Sequence, residues 1–211
     1  MTTSKRMRTA ALVVLAALQA CTDTAAPAAQ VTVAPAEAYE GVAQALTRLI
    51  EHEMQGKDLP AVSIALVDDQ EIVWARGFGY ARPDSTPATG ETVHRVGSVS
   101  KLFTDIGIMQ LVEAGEIDLD APVSQYAPAF EPNTAGKEIT LRQLMSHRSG
   151  LQREPAVGNY FDDTEPTLAA TVASLSGREL VYAPEEKTKY SNAGIGVVGY
   201  TLEVLKGEPF A

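Results

Sequence analysis

Residues 94–119, HRVGSVSKLFTDIGIMQLVEAGEIDL, constrain the fold more than any other stretch of the chain. From Leu102 onward the apolar residues (Leu102, Phe103, Ile106, Ile108, Met109, Leu111, Val112) fall on more than one face of a helix. A helix apolar nearly all round is normally buried rather than laid on a surface. Gly115 supplies the stop that helices commonly take at the C-terminal end. The mouth of this helix also carries chemistry. Ser98 and Lys101 stand at i and i+3, on one helical face. They lie beside the unpaired N–H groups and the positive dipole end of a helix N-terminus. A hydroxyl, an amine and free N–H donors in one place are what acyl transfer requires.

The chain ahead of this helix reads as an export leader and a tether. Residues 1–20 join a basic start (Lys5, Arg6, Arg8) to an apolar run, the pattern of a secretory signal peptide. The run is shorter than the ~20 apolar residues a membrane-spanning helix needs. Leu18-Gln19-Ala20-Cys21 resembles the lipobox of bacterial lipoproteins. The resemblance implies that Cys21 is lipidated and anchors the mature chain to a membrane of the bacterial cell envelope. As the single cysteine it also excludes an internal disulfide. Residues 21–36 are rich in Ala, Thr and Pro and are expected to be that tether, leaving one domain over 37–211.

Within the domain, Val42, Leu46, Leu49, Ile50 and Met54 predict a helix over 39–54, ended by Gly56 and Pro60. Two β-like runs, 61–67 and 71–80, flank Asp68-Asp69-Gln70 and predict an antiparallel hairpin. Residues 83–90 and 159–166 read as loops. Thr140 is placed to cap a short helix, LRQLMS, and further helices are expected over 168–175 and 192–205. The net charge of −10 argues against a nucleic-acid partner, which would select a basic surface. His52, His94 and His147 lack metal-ligand spacing, so neither a metal nor another cofactor is expected; His147 reads as a loop-ordering residue. Residues 194–199 spell G-x-G-x-x-G, but KTKYSNA before them is no apolar strand, so close helix packing is the better account.

Tyr190-Ser191-Asn192 is the second chemical feature, again at a helix start. With Ser98-Val99-Ser100-Lys101 ahead of it, the chain resembles the serine β-lactamase-related family of class C β-lactamases, D-alanyl-D-alanine carboxypeptidases and related esterases. Leu144-Met145-Ser146-His147-Arg148-Ser149-Gly150-Leu151 resembles the family's "LLSHTSGL" landmark, while Pro184-Glu185 departs from its usual Pro-Gly. The resemblance implies an α+β, β-lactamase/transpeptidase-like fold, an antiparallel sheet flanked by helices with a helical subdomain. It implies Ser98, not Ser100, as nucleophile, Lys101 as its activator, and Tyr190 as a further acid/base group acidified by the lysine. Asn192 would position the substrate's carbonyl or amide, and the Ser98 N–H would be one oxyanion donor.

The family carries a third box, Lys/His-x-Gly, on a later strand, and no such match follows Asn192. The chain is therefore expected to be a C-terminally truncated member lacking the later strands, with an exposed sheet edge and exposed core, unstable or inactive alone. Its expected function is hydrolysis of an amide or ester (a β-lactam, a D-Ala peptide or a small ester) through an acyl-enzyme at Ser98. The alternative is a non-catalytic envelope protein that binds penicillin-like or peptide ligands, or an inactive fragment.

Overall fold

The computed structural model describes residues 31–210; the leader and Cys21 lie outside the described residues. Two compact units meet between His94 and Arg95 in sequence, and each is described by itself.

The first unit holds β1 (Val31–Val33), α1 (Glu40–Lys57), β2 (Ala61–Asp68) and β3 (Glu71–Gly79). The strands form an antiparallel sheet in the order β1-β3-β2. Asp69 and Gln70, at φ 44° and 70°, make the tight β2–β3 connection. Two left-handed residues twist in the sense that flanking strands require. On α1, Ala43, Leu46, Ile50 and Met54 recur at helical spacing and pack against Trp74 and Phe78 of the sheet. The buried Trp74 and Phe78 contribute about 1.5–3 kcal/mol each, and the partly buried helix residues less. The helix runs past Gly56 to Lys57 and stops at Asp58, whose left-handed φ of 51° ends it before Pro60 is reached. Across the sheet, a Cβ on Gly77 would sit 2.2 Å from the backbone of Ala88 and Thr89, so only glycine admits that loop.

One expectation is corrected here. Val31–Val33 fall within the stretch read as tether, yet they pair with β3, and Thr32 Oγ1 accepts from the Gly90 N–H at 2.8 Å. A three-residue strand is too short to print a period on the sequence. Among the described residues no strand pairs with the outer side of β2.

The second unit contains α2 (Ser100–Glu113), α3 (Leu141–Met145), α4 (Leu168–Ala173) and α5 (Asn192–Lys206). Its core joins Ile108 and Leu111 of α2, Leu141 and Leu144 of α3, and Val172 of α4 around Val197 and Val198 of α5. Thr140 and Gln143 close a capping box on α3. The G-x-G-x-x-G run lies inside α5, where Cβ atoms on Gly194 and Gly199 would stand 3.5 Å from Leu144 and 3.3 Å from Phe210. Of the three glycines in the run, Gly199 is the one at a tight approach.

The burial expected of α2 is reversed. Thr104, Ile108 and Leu111 are its buried residues, whereas Leu102, Phe103, Ile106 and Met109 are exposed, Phe103 by 71%. Apolar periodicity states which faces can be buried, not which find a partner. The helix that packs along α2 is α5, approaching so closely that a Cβ on Gly107 would meet Leu202 at 3.1 Å. It is α5 that is buried nearly all round.

Candidate active site

The site is built in the second unit from three backbone features. Gly97, at φ 52°, turns the chain into a 3-10 turn, Gly97–Val99, that leads directly into α2. Ser98 in that turn and Lys101 in the first turn of α2 are three residues apart and therefore share one face. Lys101 Nζ donates to Ser98 Oγ at 3.2 Å. Ser98 does not cap its helix: neither the turn nor α2 has a side-chain cap, so the hydroxyl is left for other partners.

The second feature is the start of α5. Ser191 is the N-cap, accepting from the Gly194 N–H at 2.9 Å and donating to the Gln152 carbonyl at 2.6 Å. Its φ of −137° and ψ of 113° are extended, so Tyr190 and Asn192, two apart, leave on the same side. Tyr190 Oη stands 2.6 Å from Ser98 Oγ. The Lys101 ammonium lies 5.1 Å from the Tyr190 ring centroid. That ammonium, and after it the Ser98 hydroxyl, hold the Tyr190 phenol below its ordinary value. A lowered phenol reaches its basic form closer to neutral pH.

The third feature is the loop after α3, which lies against the Tyr-x-Asn segment. The Arg153 carbonyl accepts from the N–H groups of Asn192 (2.7 Å) and Ala193 (3.1 Å). The Arg153 guanidinium lies 5.2 Å from the Tyr190 ring centroid. Asn192 Nδ2 donates to Glu154 Oε1 at 2.6 Å, and a carboxylate oxygen can only accept here. The Asn192 carboxamide therefore turns its nitrogen toward Glu154. The ring of His147 packs 4.4 Å from that of Tyr190.

Glu185, where the family pattern has glycine, keeps the left-handed turn at φ 68°. Arg148 compensates for the missing glycine: it pairs with the Glu185 carboxylate, donates to its carbonyl at 2.9 Å, and accepts its N–H at 2.9 Å.

Ser98, Lys101 and Tyr190 are thus brought into one hydrogen-bonded group, with Asn192 beside Tyr190. Arg153 and Glu154 were not singled out from the sequence. Their signal was position, since they directly follow the landmark motif whose loop meets the Tyr-x-Asn. An open cavity of about 840 Å³ is lined by Asn192 and Glu154 together with Pro155, Leu168, Thr171 and Phe210.

Comparison with known proteins gives a consistent result. The Beta-lactamase family profile matches residues 46–211. "Protein flp" of Staphylococcus aureus is 28% identical over 163 residues, covering 76% of this chain and 33% of the relative. The chain therefore spans about a third of the length of that curated relative. Among solved structures, EstCE1, described as a hydrolase with promiscuous acyltransferase activity, matches with a TM-score of 0.75 and 26% identity, over 83% of this chain and 50% of the other. D-amino acid amidase of Ochrobactrum anthropi SV3 matches with a TM-score of 0.67 and 27% identity, over 80% of this chain and 46% of the other. These similarities place the chain's α+β arrangement in the β-lactamase/transpeptidase-like fold, of which it covers a part.

Proposed function

Because the chain belongs to the β-lactamase family, we propose that it is a serine hydrolase that cleaves an amide or ester through an acyl-enzyme at Ser98. The observation that carries this reading is the triangle of Ser98 Oγ, Tyr190 Oη at 2.6 Å and Lys101 Nζ at 3.2 Å. A serine hydroxyl becomes an effective nucleophile only when a neighbour takes its proton. Tyr190, as phenolate, receives the Ser98 proton while Oγ bonds to the carbonyl carbon and the carbonyl electrons move to oxygen. Collapse of that adduct breaks the bond to the leaving group, which recovers the proton from Tyr190. Water then attacks the acyl-serine by the same proton route and restores the enzyme. Lys101 stabilises the anionic phenolate, and the Ser98 N–H stands as one donor to the developing oxyanion.

Asn192, two residues from Tyr190, holds the substrate's carbonyl or amide. The structural neighbours, a hydrolase with promiscuous acyltransferase activity and a D-amino acid amidase, support small esters and amides as substrates. The leader and Cys21 support export and lipid anchoring in the cell envelope.

Mixing the protein with a chromogenic ester should give a rapid burst of product stoichiometric with protein, followed by slower turnover, the kinetic mark of an acyl-enzyme. A burst without turnover would favour the ligand-binding alternative. Product release with no burst and no saturation would remove the acyl-enzyme. Glu154→Ala is expected to raise KM about 10-fold, the worth of one charge-assisted hydrogen bond to Asn192, while Glu154→Gln keeps most of the wild-type value. Steady-state kinetics on the same ester measures both; equal KM in all three proteins would exclude an orienting role for Glu154.

A further inference from the structure

His147 touches three consecutive residues of the Tyr-x-Asn segment. Its carbonyl accepts the Lys189 N–H at 2.8 Å. Its ring packs on the Tyr190 ring, centroids 4.4 Å apart and planes inclined at 41°. Its Nδ1 accepts the Ser191 N–H at 3.3 Å. The residue before Tyr190, the phenol itself and the residue after it are therefore all gripped by one side chain and its own backbone. The backbone of His147 is left-handed, φ 59°, a conformation a non-glycine residue holds at a cost. An acceptor at Nδ1 requires the proton on Nε2, so the grip works only for the neutral ring.

We propose that His147 is a positioning residue for Tyr190, its neutral imidazole holding the phenol on Ser98 and its protonation releasing that hold. This rests on the hydrolase reading of the same site. Protonation would place an Nδ1–H against the Ser191 N–H, two donors face to face. It would also add a cation next to existing ones. Lys101 reaches from α2, and Arg153 stands near the Tyr190 ring. The carboxylates of the flanking segments are already engaged: Glu185 by Arg148, and Glu154 by Asn192 and Arg153. Burial first, and the Lys101 cation second, hold the His147 imidazole below its ordinary value. The neutral form is thus kept to a lower pH than in a free histidine, and the release falls below the ordinary value of about 6.5.

The test has two readouts, the rate at which an activated ester acylates Ser98 and the ring resonances of Tyr190, each followed against pH. In the wild-type protein acylation should fall about tenfold per pH unit where only Tyr190 is being protonated, and about a hundredfold per unit below the His147 titration, with the Tyr190 resonances shifting at that second midpoint. His147→Asn retains an acceptor near the Nδ1 position and tolerates a left-handed backbone, but does not titrate. It should lose that added steepness, falling only about tenfold per unit throughout, while keeping acylation at pH 8 within several-fold of wild type. His147→Leu should be slower at every pH. A hundredfold-per-unit fall that persists in His147→Asn would overturn the proposal. So would Tyr190 resonances in the wild-type protein that ignore the His147 titration, a result that needs no variant to fold. Absence of Ser98 acylation at any pH would instead defeat the hydrolase reading, while the Tyr190 resonances would still decide the grip.

Discussion

Ser98→Ala is expected to cut acyl transfer by about 10⁴-fold or more, leaving only what binding and oxyanion contacts provide. The size of the effect follows from chemistry rather than packing. Ser98 is exposed and caps no helix, so truncating its hydroxyl removes the nucleophile with little consequence for folding. Ser100→Ala, two residues on, should retain the wild-type rate within a few-fold, because the Lys101 and Tyr190 groups converge on Ser98. Rate constants for an activated ester, with thermal melts of all three proteins, separate the outcomes. Equal rates in wild type and Ser98→Ala would remove Ser98 from the reaction.

Lys101→Met and Tyr190→Phe are expected to lower the rate at neutral pH by about 10²–10⁴-fold, the range for losing one positioned proton-transfer group. Their pH dependences should differ. The Lys101 ammonium is the first cause of the lowered Tyr190 phenol, and the Ser98 hydroxyl the second. The rate depends on phenolate, so it rises as pH passes upward through the Tyr190 value. Removing the lysine raises that value, displaces the rise to higher pH, and lets part of the lost rate return under alkaline conditions. Tyr190→Phe has no phenol to titrate, so the rise should vanish and nothing should return. A pH–rate profile unmoved by Lys101→Met would show that another group takes the Ser98 proton.

The parts of the site that act through short spacing were legible in the sequence. Ser98 and Lys101 are three apart, Tyr190 and Asn192 two apart, and the local turn alone aligns each pair. The β2–β3 hairpin, the Thr140 N-cap and α5 were legible for the same reason, since each is decided within a few residues. Long-range packing was not. The exposed face of α2 carries the same apolar residues as a buried one, and only its neighbours distinguish the two. The contacts of Glu154 with Asn192 and of His147 with Ser191 are made where the loop after α3 meets the start of α5, and only the position of that loop at and behind the landmark motif hinted at them. Glu185 shows the limit from the other side, because a motif position lost in sequence is restored by Arg148 from the landmark loop.

Locating a covalent adduct separates Ser98 from every other candidate nucleophile. The protein would be incubated with a fluorophosphonate and, separately, with a fluorescent penicillin, then digested and its peptides weighed and fragmented. At least one stoichiometric adduct is expected, carried by Ser98 and absent from Ser98→Ala. An adduct on Ser100 or on any other residue, or a folded protein left unmodified by both reagents, would contradict Ser98 as the nucleophile.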